Sequence, residues 1–211
     1  MANKATALCL AWIGIAMVLV LSGIKDTKAQ VLEGQAADQA VEGAVQNMES
    51  VSTLVAGFEM LTGGKAKTGY IFIDRQIRAI RMQFSPPEQH LLLVNGPLTQ
   101  FFGDDGTELR TATSATPLIF LADPRRAIRD KVEILQVSKK AKDLTIAVAE
   151  RGNVKAGQVI RNFKDGESWR LTNWAMRDGK GNFSMIRLKD VRTNLKIDPA
   201  LFVCLLYTSD A

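Results

Sequence analysis

From Thr68 onward, apolar side chains in this chain recur at every second position, in short runs divided by turn residues. The runs are GYIFID (69–74), RAIRMQF (78–84), HLLLVN (90–95), LTQFF (98–102), VEILQVS (132–138), LTIAVAE (144–150), GQVIRNF (157–163), WRLTNWAM (169–176) and FSMIRLKDV (183–191). A period of two belongs to the extended strand, whose successive side chains point to opposite faces. Between the runs stand Asn95-Gly96-Pro97, Asp104-Asp105-Gly106, Asp165-Gly166 and Asp178-Gly179-Lys180-Gly181, all residues that suit tight turns. This spacing predicts an antiparallel meander that curls toward a barrel.

Two stretches break the alternation. Residues 30–60 contain no proline, and Val41, Val45 and Met48 share one helical stripe that Val51, Leu54, Val55 and Phe58 continue. The pattern predicts a helix from about 34 to 54, with a strand opening near Phe58. The second stretch, TPLIFLADPRRAIRD (116–130), has a proline at each end of an apolar cluster. It predicts one or two short helical turns between the two halves of the sheet. No repeat and no long linker divides the chain, so residues 30–203 are expected to form a single domain.

The ends are set apart from that domain. Lys4 precedes an uncharged apolar run, ATALCLAWIGIAMVLVLSG (5–23), and Ala29 offers a small residue before Gln30. This order reads as an export signal over 1–29; a retained membrane anchor is the alternative, since the run is long enough to span. The tail CLLYTSDA (204–211) follows without a turn signal and differs abruptly in composition, so it is expected not to be native sequence. Removing 1–29 leaves 24 basic against 21 acidic side chains and lowers the net charge from +5 to +3. No block of lysine or arginine interleaved with aromatics is present, so a nucleic-acid partner is not expected. Cys9 and Cys204 are the only cysteines, so no disulfide is expected within 30–203, and the domain must hold by packing.

Chemistry-bearing constellations are sparse. His90 is the single histidine and no other metal-ligating residues cluster around it in sequence, so neither a metal site nor a triad is expected. Asp104-Asp105 precedes a glycine and reads as turn chemistry. TGGKAKTG (62–69) lacks the spacing of a phosphate loop and reads as a hairpin tip. In FSPPEQHLLLVNG (84–96) the prolines exclude a helix interior, and Leu91 to Val94 is far too short to span a bilayer. In RAIRMQF, Ile80, Met82 and Phe84 share one face while Arg81 and Gln83 share the other. Most such arginines only solvate an outer face; one at the rim of an apolar hollow could instead donate to the backbone carbonyls of a lid.

Large apolar side chains are abundant for a small sheet protein, and a curled sheet of this length can enclose more volume than they fill. The helix and the central turns could close its open side. The side chains expected to line such a hollow, from strand face and helix stripe, are Leu54, Phe58, Ile80, Met82, Phe84, Leu92, Val94, Phe120 and Trp174. On 90–95 the choice of face is nearly arbitrary, because every central residue is apolar.

Several of these stretches resemble the outer-membrane lipoprotein carrier family of LolA-like periplasmic chaperones. RMQFSPPEQHLLLVNG (81–96) resembles its Arg-aromatic-x-aromatic-x-Pro-Pro stretch with the following apolar strand, and TPLIFLADPRRAIRD its central helix. LVAGFEMLTGGKAKTGYIFIDR (54–75) is similar to the end of its first helix and first hairpin, and LTNWAMRDGKGNFSMIRLKDVRTNLKIDPALF (171–202) to its C-terminal strand pair. The resemblance covers about 35–202. It implies a mainly β (α+β) fold, an incomplete antiparallel β-barrel whose N-terminal and short central helices form a lid over an apolar cavity. It also implies a monomeric, cofactor-free, non-enzymatic periplasmic carrier that takes acylated lipoproteins from an inner-membrane ABC transporter to an outer-membrane acceptor. Arg75 matches the family arginine that holds the lid closed, although Gln76 stands where the family has proline. An outer-membrane acceptor of the same fold, or a carrier of another apolar lipid, is an alternative from the same residues.

Overall fold

A computed structural model of the chain describes residues 28–152, 158–165, 169–177 and 181–203. The expected leader, apart from its last two residues, and the tail after Val203 lie outside the described residues, as do both cysteines.

The first strand, β1 (Gln30–Leu32), leads into helix α1 (Gly34–Ser50). Six strands follow as a meander: β2 (Thr53–Thr62), β3 (Lys65–Asp74), β4 (Ala79–Phe84), β5 (Leu91–Asn95), β6 (Leu98–Phe102) and β7 (Glu108–Ala112). Two very short helices, α2 (Ile119–Ala122) and α3 (Pro124–Arg126), run into a wider turn over Ala127–Lys131. A second meander completes the fold: β8 (Val132–Lys140), β9 (Asp143–Glu150), β10 (Gln158–Asp165), β11 (Trp169–Arg177) and β12 (Phe183–Thr193). Among the described residues the strands form one antiparallel, unclosed sheet in the order β1-β8-β9-β10-β11-β12-β2-β3-β4-β5-β6-β7.

That order dictates where the helices go. β12 pairs with β2, so the two meanders join at the centre and β1 and β7 become the free edges. The segment from β7 to β8 must cross from one side of the sheet to the other, and α2 and α3 lie on that crossing. Helix α1 must likewise travel from edge strand β1 to central strand β2, and it packs on β8, β11 and α3. Both helical segments therefore cover the inner face of an incomplete barrel, as the sequence pattern anticipates.

The differences from the expected elements have local causes. Helix α1 ends at Ser50, not 54, and β2 opens at Thr53, not near Phe58. Val51, Thr53 and Val55 are β-branched, stiff at χ1 and better suited to a pleated surface. Leu54, Ala56 and Phe58 alternate as buried residues, so the apparent helical stripe beyond Met48 belongs to a strand. The tip of the first hairpin is only Gly63-Gly64, both with positive φ (55° and 75°), which is the backbone of a two-residue hairpin turn. Strands β1 and β7 have no counterpart in the expected set. β1 is three residues long, and β7 reads ELRTA, mostly polar as befits an edge.

One large apolar cluster fills the inner face. It draws on α1 (Val41, Ala44, Val45, Met48), both meanders and all of α2. The outer face carries a smaller cluster of Ala79, Ile197 and Phe202, with Val55 and Phe72 against it. There the C-terminal turn Pro199–Phe202 lies on β4 and β5, and Arg81 Nη1 donates to the Leu201 carbonyl across 2.9 Å.

Candidate functional site

All nine side chains expected to line a hollow belong to the inner cluster. Leu54, Phe58, Ile80, Met82, Val94, Phe120 and Trp174 are buried in it, and Phe84 and Leu92 pack against it. On β5 the ambiguous face is resolved. Leu92 and Val94 point inward opposite Met82 and Ile80, while Leu93, paired with Arg81, is buried on the outer side.

The hollow itself is not empty. Helix α2 sits in it as a plug, with Ile119, Phe120, Leu121 and Ala122 all below 9 % exposed. An apolar seam of about 40 Å³ remains beneath it, lined among others by Met48, Leu54, Ile71, Leu121 and Trp174. That is far below the ~300–1,000 Å³ of ordinary ligand pockets. The expectation of unfilled volume is therefore corrected for this conformation: the lid residues occupy it. Two clefts flank the plug, one of about 250 Å³ and one of about 380 Å³. Ile119 lines both.

Arg75, at the end of β3, ties the plug down. Its Nε donates to the Leu121 carbonyl at 3.2 Å, and its Nη1 donates to the carbonyl of Val51, just past the end of α1. One guanidinium thus holds the backbone of both covering helices to the rim. Backbone carbonyls are left without intrahelical partners at a helix C-terminus, which makes them ready acceptors. Burial disfavours the cation and lowers the Arg75 pKa to about 10, partly countered by Glu49. The side chain stays charged at neutral pH. Arg78, in contrast, is exposed and lies 3.9 Å from Asp123, and Arg81 serves the outer face as described.

A second clasp was not read from the sequence. Arg125 of α3 donates to Glu49 from Nε (3.0 Å) and to Glu42 from Nη2 (2.9 Å), bridging the two helical covers on their solvent side. Pro124 starts α3, and Asp123 Oδ1 accepts the Arg126 N–H, which sets the direction in which Arg125 leaves the turn. Hydrogen bonds from Arg125 and then Gln46 hold the Glu42 carboxyl below the usual carboxylate range.

His90 lies between Phe84, which it meets edge-on, and the tilted ring of Phe101, with ring centroids 5.6 and 5.4 Å away, and its Nδ1 lies 2.8 Å from Asp104. Asp104 also accepts the Gln89 N–H, so the group pins the start of β5 to the β6–β7 turn. Among the described residues no group of three or more His, Cys, Asp or Glu could hold a metal, and no helix is long and apolar enough to cross a membrane.

An unclosed half-barrel with an apolar inner face, covered by helices that one buried arginine clamps at the backbone, defines a lidded binding fold. The chain belongs to the outer membrane lipoprotein carrier protein LolA family, whose sequence model matches residues 59–204, more than half of its length. No curated protein matches it. Among solved structures it is similar to an uncharacterized conserved protein from Thermus thermophilus, at 9% identity over 78% of this chain and 91% of that one, with a TM-score of 0.49. It is similar to the lipoprotein LppX of Mycobacterium tuberculosis at 9% identity, over 79% and 99% of the two chains, with a TM-score of 0.47. The Pseudomonas aeruginosa MucA/MucB complex gives 12% identity over 80% of this chain and 60% of that one, with a TM-score of 0.46.

Proposed function

We propose that this protein is a periplasmic chaperone that shelters the acyl chains of lipoproteins under its helical lid. It receives them from an inner-membrane ABC transporter and delivers them to an outer-membrane acceptor. The observation that carries the reading is the double donation of Arg75 to Leu121 and Val51 above an apolar seam. Family membership supports it independently.

The energetics of the task suit such a device. Each CH₂ taken from water is worth roughly 0.8 kcal/mol, so a long acyl chain exposes on the order of 12 kcal/mol. Unaided passage through water is negligible at that cost. The plug contains three large side chains, Ile119, Phe120 and Leu121, whose full exposure would cost roughly 5–9 kcal/mol. Opening onto water is thus unfavourable, whereas exchanging the plug for a chain of comparable apolar area is nearly balanced. A near-balanced exchange permits both loading and release, and the arginine bonds set how often the lid opens.

The test uses protein purified from the cells that make it. Mixed with a triacylated lipoprotein in detergent-free buffer, it should hold the lipoprotein in a soluble one-to-one complex, and the same lipoprotein without its acyl chains should not bind. Equal binding of acylated and unacylated forms, or none of either, refutes the proposal.

A further inference from the structure

Arg161 of β10 is 4 % exposed, facing the interior of the sheet. Among the described residues no carboxylate reaches it, and its Nη1 has no hydrogen-bond partner. Its contact is with an aromatic face: the guanidinium carbon lies 3.5 Å from the ring centroid of Phe120. A buried charge normally pairs with an opposite charge, because removing it from water costs several kcal/mol. A cation–π contact recovers only part of that. Burial lowers the Arg161 pKa to about 9, so the group remains a cation at neutral pH. It plays no part in the Arg75 or Arg125 clasps.

The position of Phe120 gives this cost a direction. The same ring that covers Arg161 belongs to the plug α2 and lines the 250 Å³ cleft. When α2 yields its place to a ligand, Phe120 leaves, and the guanidinium faces the volume the ligand enters. Resting on the lidded-carrier reading above, but not on a lipoprotein as the cargo, since ester- and amide-linked acyl chains are neutral, we propose that Arg161 is the polar anchor of a second kind of ligand, pairing with an anionic oxygen, carboxylate or phosphate, borne on the apolar chain. In a water-poor interior a charge-assisted, bidentate guanidinium–oxyanion pair is short and strong. The ligand class is therefore an anionic amphiphile, and the cation–π contact with Phe120 is the placeholder that keeps Arg161 tolerable until it arrives.

Calorimetric titration separates the possibilities. Protein purified from its native cells is titrated with palmitate, hexadecyl phosphate, methyl palmitate and inorganic phosphate, the chains kept below micelle formation. Both anionic amphiphiles are expected to bind at least about tenfold more tightly than the ester, a difference of about 1.4 kcal/mol or more. In Arg161→Met that ratio should fall toward one, and Arg161→Lys should retain part of it. Equal affinity for ester and anions in the wild type, or an undiminished preference in Arg161→Met, overturns the anchor while leaving the carrier reading standing. Inorganic phosphate binding as tightly as the amphiphiles overturns a chain-borne ligand. No binding by any of the chains overturns the anchor and leaves the lipoprotein reading to its own test. Should Arg161→Met not fold, the wild-type ratio and Arg161→Lys decide the matter alone.

Discussion

The Nε of Arg75 donates to the carbonyl oxygen of Leu121 across 3.2 Å, joining a strand end to a helix 46 residues further along the chain. With the second donation to Val51, this side chain crosslinks two covers that share no backbone hydrogen bond among those between their elements. Hydrogen bonds from a charged donor contribute about 1.5–3 kcal/mol each, so the pair at most matches the apolar burial of the plug. On the proposed lidded reading, the arginine does not hold α2 down alone; it adjusts an equilibrium that apolar contact already favours.

Arg75→Met keeps the length and apolar stem while deleting both donors. The lid should open more often by about 1–3 kcal/mol, the lower end reflecting relief from burying the cation. Hydrogen exchange at the Leu121, Ala122 and Asp123 amides is expected to accelerate about fivefold or more. An apolar dye should bind faster. Unchanged exchange at these amides in a folded variant would count against the latch.

Gly69 tolerates no side chain. A Cβ there would lie 2.2 Å from the Gln83 carbonyl oxygen and 2.6 Å from the Phe58 ring, which rests on the glycine as its cross-strand partner. Gly69→Ala should destabilise by about 1–3 kcal/mol in urea unfolding. Adding Phe58→Leu should recover only part of the loss, because the clash with backbone remains. Full recovery would show that the ring alone forbids the methyl group.

The Arg125 clasp should be sensitive to acid. Because the folded state holds the Glu42 pKa below its ordinary 4.5, the carboxylate's contribution is complete above that value. It is lost as pH falls through the lower folded pKa. The stability gap between wild type and Glu42→Gln should stay level from neutral pH down to about 4.5 and close below it, and added salt should narrow it at pH 7. A gap that widens on acidification contradicts this sign.

Arg161→Met removes a buried cation that has no carboxylate partner among the described residues. In the absence of ligand it should be neutral or stabilising, by about 1–4 kcal/mol, since apolar replacement of buried charge usually is. Thermal unfolding should show an unchanged or raised Tm. A loss of several degrees would mean that the contact with Phe120 is a structural asset rather than a placeholder.

Much of the architecture is legible residue by residue. Ile80, Met82 and Phe84 go inward and Arg81 outward because a strand has two faces and a period of two. The glycine-bearing turns at 63–64, 95–97 and 104–106 join successive strands because few other residues adopt their backbone. The same parity places Arg161 with Phe163 on one side of its run, a signal that an arginine enters the interior. Val51 to Phe58 misleads because a stripe of apolar residues at mixed spacing fits a helix until β-branching is weighed.

Local pattern by itself determined a curved antiparallel sheet, two helical interruptions and a set of inward apolar side chains. Such pattern is a property of one strand or helix at a time. Only the tertiary structure decided that α2 fills the hollow, that Arg75 reaches Leu121 and Val51, and that Arg125 meets Glu42 across 83 residues of chain. Those pairings depend on which strands become edges and where the connections between them must cross. Their strength comes from desolvation, which exists only once distant segments have excluded water from between them.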